Sequence, residues 1–123
     1  MEEYIGIPYI INGRDKNGLD CYGLVYLVEK EYFHKDLPEF SNISLGNDSE
    51  ILIAENKPLL EATKVSKPLD GDIVLLFIQG TPSHVGVYFD NGILHSTQGR
   101  GVVYEKINSP HLKRFGTKEY YRV

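Results

Sequence analysis

The chain has one cysteine, no run of basic residues, no internal repeat, no linker and no glycine-rich phosphate loop. One cysteine excludes an internal disulfide framework and any multi-cysteine zinc site. Lysines and arginines are scattered and the net charge is -4, which argues against nucleic acid as a partner. The longest apolar run, Ile73 to Ile78, falls far short of the ~20 residues a membrane span needs. At the N-terminus, Glu2 and Glu3 stand where a signal peptide carries basic residues, and no apolar core follows, so no signal peptide and synthesis in the cytoplasm are the expectations. Gly99-Arg100-Gly101 is too short for a phosphate cradle and lies between expected strands rather than before a helix. What remains is 123 residues, 41% hydrophobic and 24% charged, enough for a single domain over residues 1–123 and too little for two.

The cysteine sits where loop chemistry turns into helix chemistry. Upstream, Asn12 to Gly18 is polar and turn-rich; downstream, Leu24, Val25, Leu27, Val28 and Tyr32 recur as one buried helical face requires. A helix is expected to begin between Asp20 and Tyr22 and to end near Phe33 or His34, with Asp20 as N-cap. Cys21 then lies in the first turn, at the positive end of the helix dipole, where a thiolate is favoured. A lone cysteine also fits a small buried hydrophobe. The flanks favour the reactive reading, because Gly23 one turn into a helix costs about 1 kcal/mol relative to alanine and implies close approach by another backbone or a ligand.

Along the chain, residues 4 to 18 read as an irregular or extended lead-in with a polar-tipped Tyr9. Phe40 to Gly46 is turn-like, and Asn47 to Glu50 is a candidate cap for a second helix over Ile51 to Lys57. Ala62 to Lys67 alternates as a short extended segment, Pro68 to Asp72 is a turn, and Ile73 to Ile78 is a central strand. Gly80-Thr81-Pro82 turns the chain into a strand over Ser83 to Phe89. Asp90-Asn91-Gly92 is a hairpin turn of the Asn-Gly type, and Ile93 to Thr97 returns antiparallel. Val102 to Ile107 and Lys118 to Val123 complete an α+β arrangement, N-terminal helices packed on an antiparallel sheet of about five strands.

Of the four histidines, His34 and His111 lie in polar, turn-like surroundings and read as exposed. His84 opens a strand on which Val85 and Val87 take the opposite face and Gly86 leaves its own face open. Pairing about the 90–92 turn brings His95 opposite Gly86 or Val85, close enough for the two imidazoles to be neighbours.

These blocks, in this order, resemble the NlpC-type cell-wall peptidases, compact relatives of the papain fold. Gly6-Ile7-Pro8-Tyr9 with Gly13, then Gly18 to Val25 around Cys21, is similar to that family's nucleophile block. Leu69 to Phe77 is similar to its Pro-Gly-Asp-Leu-Val-Phe-Phe strand, Ser83 to Tyr88 to its Ser-His-Val-Gly-Ile-Tyr block, and His95 stands where the family places a third polar residue. Two positions depart: most members have serine where this chain has Tyr22, and proline where it has Asp70. An aromatic after the cysteine is similar to the branch found in phage tail assembly proteins.

The resemblance implies hydrolysis of a γ-D-glutamyl to diamino acid bond in the peptidoglycan stem peptide, at the cell wall, with phage tail proteins as partners if that branch applies. It requires no cofactor and no metal. Cys21 is then the nucleophile, His84 the general base and acid, and His95 the acceptor that orients His84. Tyr9 assists the Cys21 backbone amide at the oxyanion, Asp20 pairs with the free amino group of the stem peptide's L-alanine, and Tyr22 and Ser83 are further substrate-binding candidates. Three readings compete: an amidase or acyltransferase using the same residues, an idle tail or interaction module in which Tyr22 crowds the cleft, and a zinc site of Cys21, His84 and His95. A nucleophile at a helix N-terminus explains the flanks better than zinc.

Overall fold

The computed structural model describes residues 1–39 and 62–123. The turn-like Phe40 to Gly46 stretch and the expected second helix over Ile51 to Lys57 lie outside the described residues. Among those described there is one α-helix, α1 (Cys21–Glu31). It ends where Tyr32 caps it and His34 turns left-handed at φ 60°.

The lead-in is more ordered than its sequence suggests. A short 3₁₀ turn over Glu2–Tyr4 is followed by a two-stranded hairpin, β1 (Arg14–Asp15) and β2 (Gly18–Leu19). Six further strands form an antiparallel sheet: β3 (Thr63–Val65), β4 (Ile73–Ile78), β5 (Thr81–Phe89), β6 (Gly92–Thr97), β7 (Gly101–Lys106) and β8 (Thr117–Arg122). Their order is β3-β8-β4-β5-β6-β7. The sheet is a meander from β4 to β7, and the last strand returns to pair with β4.

That arrangement explains why β4 reads as a continuous apolar run: it is an interior strand covered on both faces. Ile73 and Leu75 join Val85, Val87, Leu94 and the α1 residues Leu24, Val25 and Val28 in one core. Val74 and Leu76 face the other way, onto Ile93, Leu112 and Phe115. Each layer follows from side chains alternating across a strand.

The turns fall slightly away from their expected places. Gln79 and Gly80 (φ 50° and 79°) make the β4–β5 turn, so Thr81 and Pro82 are already strand. Asp90 and Asn91 (φ 46° and 56°) form the β5–β6 loop, and Gly92 belongs to the strand opposite Phe89. Positive φ at both central residues is what a type I′ turn needs, and Asp and Asn supply it as well as Asn-Gly would. The β4–β5 register slips between Leu76↔His84 and Phe77↔Pro82, leaving Ser83 as the extra residue of a bulge. Bulges re-aim the side chains beside them, and here the neighbour is His84.

Candidate active site

The start of α1 is held by Asp20, which is fully buried. Its Oδ1 accepts from the Gly23 amide at 2.7 Å and from Arg14 Nη1 at 2.8 Å, and its Oδ2 from the Asn12 amide at 2.9 Å. The helix end so fixed places Cys21 at the first helical position, 1% exposed. Gly23 has the close approach its sequence position implied. A Cβ there would stand 1.9 Å from the Gly13 carbonyl oxygen, so only glycine lets the backbone entering β1 lie against the start of α1. One residue before the cap, the Leu19 carbonyl accepts from Ser96 Oγ at 2.7 Å, tying this segment to β6.

His84 and His95 come together as the register required. His84 Nε2 lies 2.7 Å from His95 Nδ1, with the rings edge to face at 4.9 Å between centroids. Both are buried. Gly86 lets β6 pass close by, because a Cβ there would stand 2.7 Å from Ile93 Cγ2, 2.8 Å from the Leu94 carbonyl oxygen and 3.1 Å from His95 Cβ. Phe115 stacks on His84 at 5.8 Å with 10° between planes. Beyond the pair, His95 Nε2 lies 2.8 Å from Glu105 Oε1. Arg100 Nη2 donates to the same oxygen at 3.0 Å, and Ser109 Oγ donates to Glu105 Oε2 at 3.2 Å. Burial, and then the neighbouring His84, push His95 down to about 4 against the pull of Glu105. Burial of Glu105 opposes its ionisation, yet the hydrogen bonds from His95 and Arg100 outweigh that and lower its pKa. The resting pair is therefore a neutral His95 and an anionic Glu105.

The histidines do not project from the face that α1 covers. His84 alternates with Val85, and His95 with Leu94; the two aliphatic side chains belong to the α1-side core, whereas His84 shares its side with Phe115. The two sides meet at a splay. β5 and β6 pair only from Val87↔Leu94 to Phe89↔Gly92, and past that point a cleft of about 420 Å³ opens. Its lining combines His84 with Ser96, whose hydroxyl donates to the Leu19 carbonyl two residues before Cys21. Tyr9, Ser83 and Arg114 also line it. Tyr9 is set there by Pro8, whose carbonyl accepts from the Leu19 amide at 3.0 Å.

Two of the expected substrate-binding residues are engaged elsewhere. Asp20 has no exposed surface, and both its oxygens are bonded within the protein; its work is to cap the helix and neutralise Arg14. Tyr22 does not crowd the cleft. It is fully buried, its hydroxyl donates to the Pro38 carbonyl, and Arg14 lies 5.3 Å above its ring. The sequence hint for an idle module goes with it. Ser83 does reach the cleft, with its hydroxyl donating to the Thr81 carbonyl at 2.8 Å. His34 and His111 are exposed, although His111 Nδ1 comes within 4.0 Å of Glu105. Zinc is disfavoured by the bonding itself, since both ring nitrogens of His95 are already in hydrogen bonds.

Glu105 is the residue that sequence reasoning missed. The signal was present: His95 pairs with Val103, and side chains two apart on a strand share a face. Only the β6–β7 register, set by Thr97↔Gly101, turns that signal into a contact.

The model of the NlpC/P60 family matches residues 6–119. The chain belongs to that family. Among relatives, the murein DD-endopeptidase MepS/murein LD-carboxypeptidase of Escherichia coli (strain K12) is 28% identical over 118 residues, covering 93% of this chain and 56% of that protein. A probable endopeptidase of Haemophilus influenzae is 28% identical over 117 residues, covering 93% of this chain and 65% of its own length. The chain thus spans only part of these NlpC/P60 relatives. Among solved structures, the NlpC/p60 domain of the peptidoglycan hydrolase SagA superposes with a TM-score of 0.61 at 21% identity, over 97% of this chain and 90% of that one, which places the papain-like α+β fold.

Proposed function

We propose that this domain is a cysteine endopeptidase that cleaves an amide bond in the peptide part of peptidoglycan. The observation that carries the reading is the 2.7 Å His84–His95 pair, with His84 in the lining of the cleft, in a fold that sets the single cysteine at a helix N-terminus. The name of the E. coli relative, a murein DD-endopeptidase, supports the substrate class, and that of the H. influenzae relative, a probable endopeptidase, supports the reaction.

In this account His84 takes the thiol proton of Cys21, and the thiolate attacks the carbonyl carbon of the scissile amide. The developing oxyanion meets the Cys21 backbone amide, with Tyr9 beside it, a kind of contact worth about 3 kcal/mol per donor. His84 then gives its proton to the departing amine, and water releases the acyl group from sulfur with His84 again as base. His95 accepts from the His84 ring and orients it. The substrate subsite once assigned to Asp20 passes to groups that line the cleft, Ser83 and Arg114 among them.

Three cleavages are in view. The resemblance points to the γ-D-glutamyl to diamino acid linkage, whereas the E. coli relative's name specifies a DD-endopeptidase and an LD-carboxypeptidase. Action at the wall after synthesis in the cytoplasm, with carriage by a phage tail, belongs to the same proposal; its only support is the aromatic residue after Cys21. Digestion of purified muropeptides followed by mass spectrometry tests the function. Fragments cut within the stem peptide support it and identify the bond. Release of intact stem peptides from sugar makes the domain an amidase, and unchanged muropeptides overturn the proposal.

A further inference from the structure

We infer that Glu105 is a positioning residue of this site: its carboxylate fixes the direction of hydrogen bonding along Glu105, His95 and His84, and so leaves Nδ1 of His84 as the atom that receives the Cys21 proton. The inference rests on the reading of Cys21 and His84 as nucleophile and base. It goes beyond that reading by naming the residue that selects the working tautomer of the base.

An ionised carboxylate only accepts hydrogen bonds, so the 2.8 Å contact with Glu105 Oε1 puts the hydrogen of neutral His95 on Nε2. The remaining lone pair of His95 is then on Nδ1. That atom lies 2.7 Å from His84 Nε2, so His84 must donate from Nε2. Neutral His84 has its own lone pair on Nδ1, the one ring nitrogen not committed to His95. When the proton moves from the Cys21 sulfur to His84 Nδ1, the imidazolium so formed donates to a neutral acceptor with an anion behind it.

Without Glu105 nothing sets this direction. His95 with its hydrogen on Nδ1 would donate to His84 Nε2, the hydrogen of His84 would move to Nδ1, and the base would be blocked. Each contact around Glu105 suits an anion held in one orientation. On β7 it sits opposite Ile93, one step along its face from the Val103 partner of His95. Arg100, in the β6–β7 turn, donates at 3.0 Å, and Ser109 donates to the second oxygen at 3.2 Å. His111, from the turn over Pro110–Leu112, faces the same oxygen at 4.0 Å. Among the described residues, His95, Arg100 and His111 are the titratable or charged groups that face Glu105.

The test is the long-range proton–nitrogen correlation spectrum of ¹⁵N-histidine-labelled protein, which reads the tautomer of each ring, recorded beside the rate of Cys21 alkylation by iodoacetamide and turnover of muropeptides. Wild type should show neutral His95 with its hydrogen on Nε2, and His84 carrying hydrogen on Nε2. Glu105→Ala should mix the His95 tautomers, slow alkylation, and lower kcat by between about 10- and 10⁴-fold, the upper figure being that for loss of an orienting carboxylate, with KM nearly unchanged. Glu105→Asp should recover part of both losses. Hydrogen on Nδ1 of His95 in the wild-type spectrum would overturn the inference and needs no variant to be folded. An unmixed Nε2–H tautomer and unchanged alkylation in Glu105→Ala would overturn it as well. Neither spectrum nor alkylation involves substrate, so a wild type that leaves muropeptides intact defeats the proposed function while the role of Glu105 is still decided.

Discussion

Glu105 on β7 and Glu29 near the end of α1 are both carboxyls shut away from solvent, and the protein treats them in opposite ways. Glu105 takes hydrogen bonds from His95, Arg100 and Ser109. Glu29 has no exposed surface, and neither of its oxygens has a hydrogen-bond partner. Burial opposes ionisation of each. At Glu105 the donors win and the pKa falls; at Glu29 burial prevails over the attraction of Lys35, Asp72 adds to it, and the pKa climbs to about 8. Position inside the protein therefore does not decide charge; the partners do. One carboxyl is held as an anion by its donors, and the other is a neutral acid in the core at pH 7.

The comparison can be broken most severely at the relay. His84→Ala should lower activity by roughly 10²- to 10⁴-fold, the usual worth of a general base, in a protein whose circular dichroism still matches wild type. His95→Asn should keep more activity than His95→Ala, because an acceptor for His84 survives. A His84→Ala protein that turns over muropeptides normally would show that the buried pair is structural, like Glu29.

A second substitution would turn a satisfied carboxylate into one that resembles Glu29. Arg14→Ala strands Asp20, whose ion pair with Arg14 is almost wholly buried. Two backbone amides remain on the carboxylate, so the loss should be about 3 kcal/mol, the low end for breaking a buried pair, read from urea unfolding. An unchanged unfolding midpoint would mean that the amides alone hold the helix start.

The Glu29 side of the comparison is sharpened by pH. Its folded pKa lies above the ordinary 4.5, at about 8, so the folded state binds the proton more tightly than the unfolded chain. Its contribution to stability is fully present below 4.5 and is lost as pH rises through 8, amounting to a few kcal/mol at most. Glu29→Gln should flatten that part of the stability profile and leave activity unchanged. A variant that falls in stability between those pH values as steeply as wild type would relieve Glu29 of the role. The smallest effect belongs to His111→Ala: an exposed ring 4.0 Å from Glu105 should alter turnover by less than about 2-fold, since an exposed charge pair is worth about 0–1 kcal/mol.

What the sequence made legible was mostly local. Asp20 as cap, Cys21 in the first turn and Gly23 against another backbone all follow from a helix start, where a few neighbouring residues set the geometry. The His84–His95 meeting was legible because a tight turn ties their strands in register. Glu105 needed a second register, and β8 needed a non-local pairing with β4 that no turn specifies. Tyr22 was misplaced because the direction of a helical side chain depends on what packs beside it, here Arg14 and the carbonyl of Pro38. The Asp90-Asn91 turn was shifted by one residue since Asp, Asn and Gly all tolerate positive φ.

The central claim is that the cysteine at the start of α1 breaks a peptide bond in the cell wall. Its most direct test is to incubate wild type and Cys21→Ala side by side with one purified muropeptide and follow both by mass spectrometry. The account predicts stem-peptide fragments that accumulate with wild type and are absent with Cys21→Ala, whose circular dichroism matches wild type. Equal cleavage by the two proteins, or none by either, would contradict it.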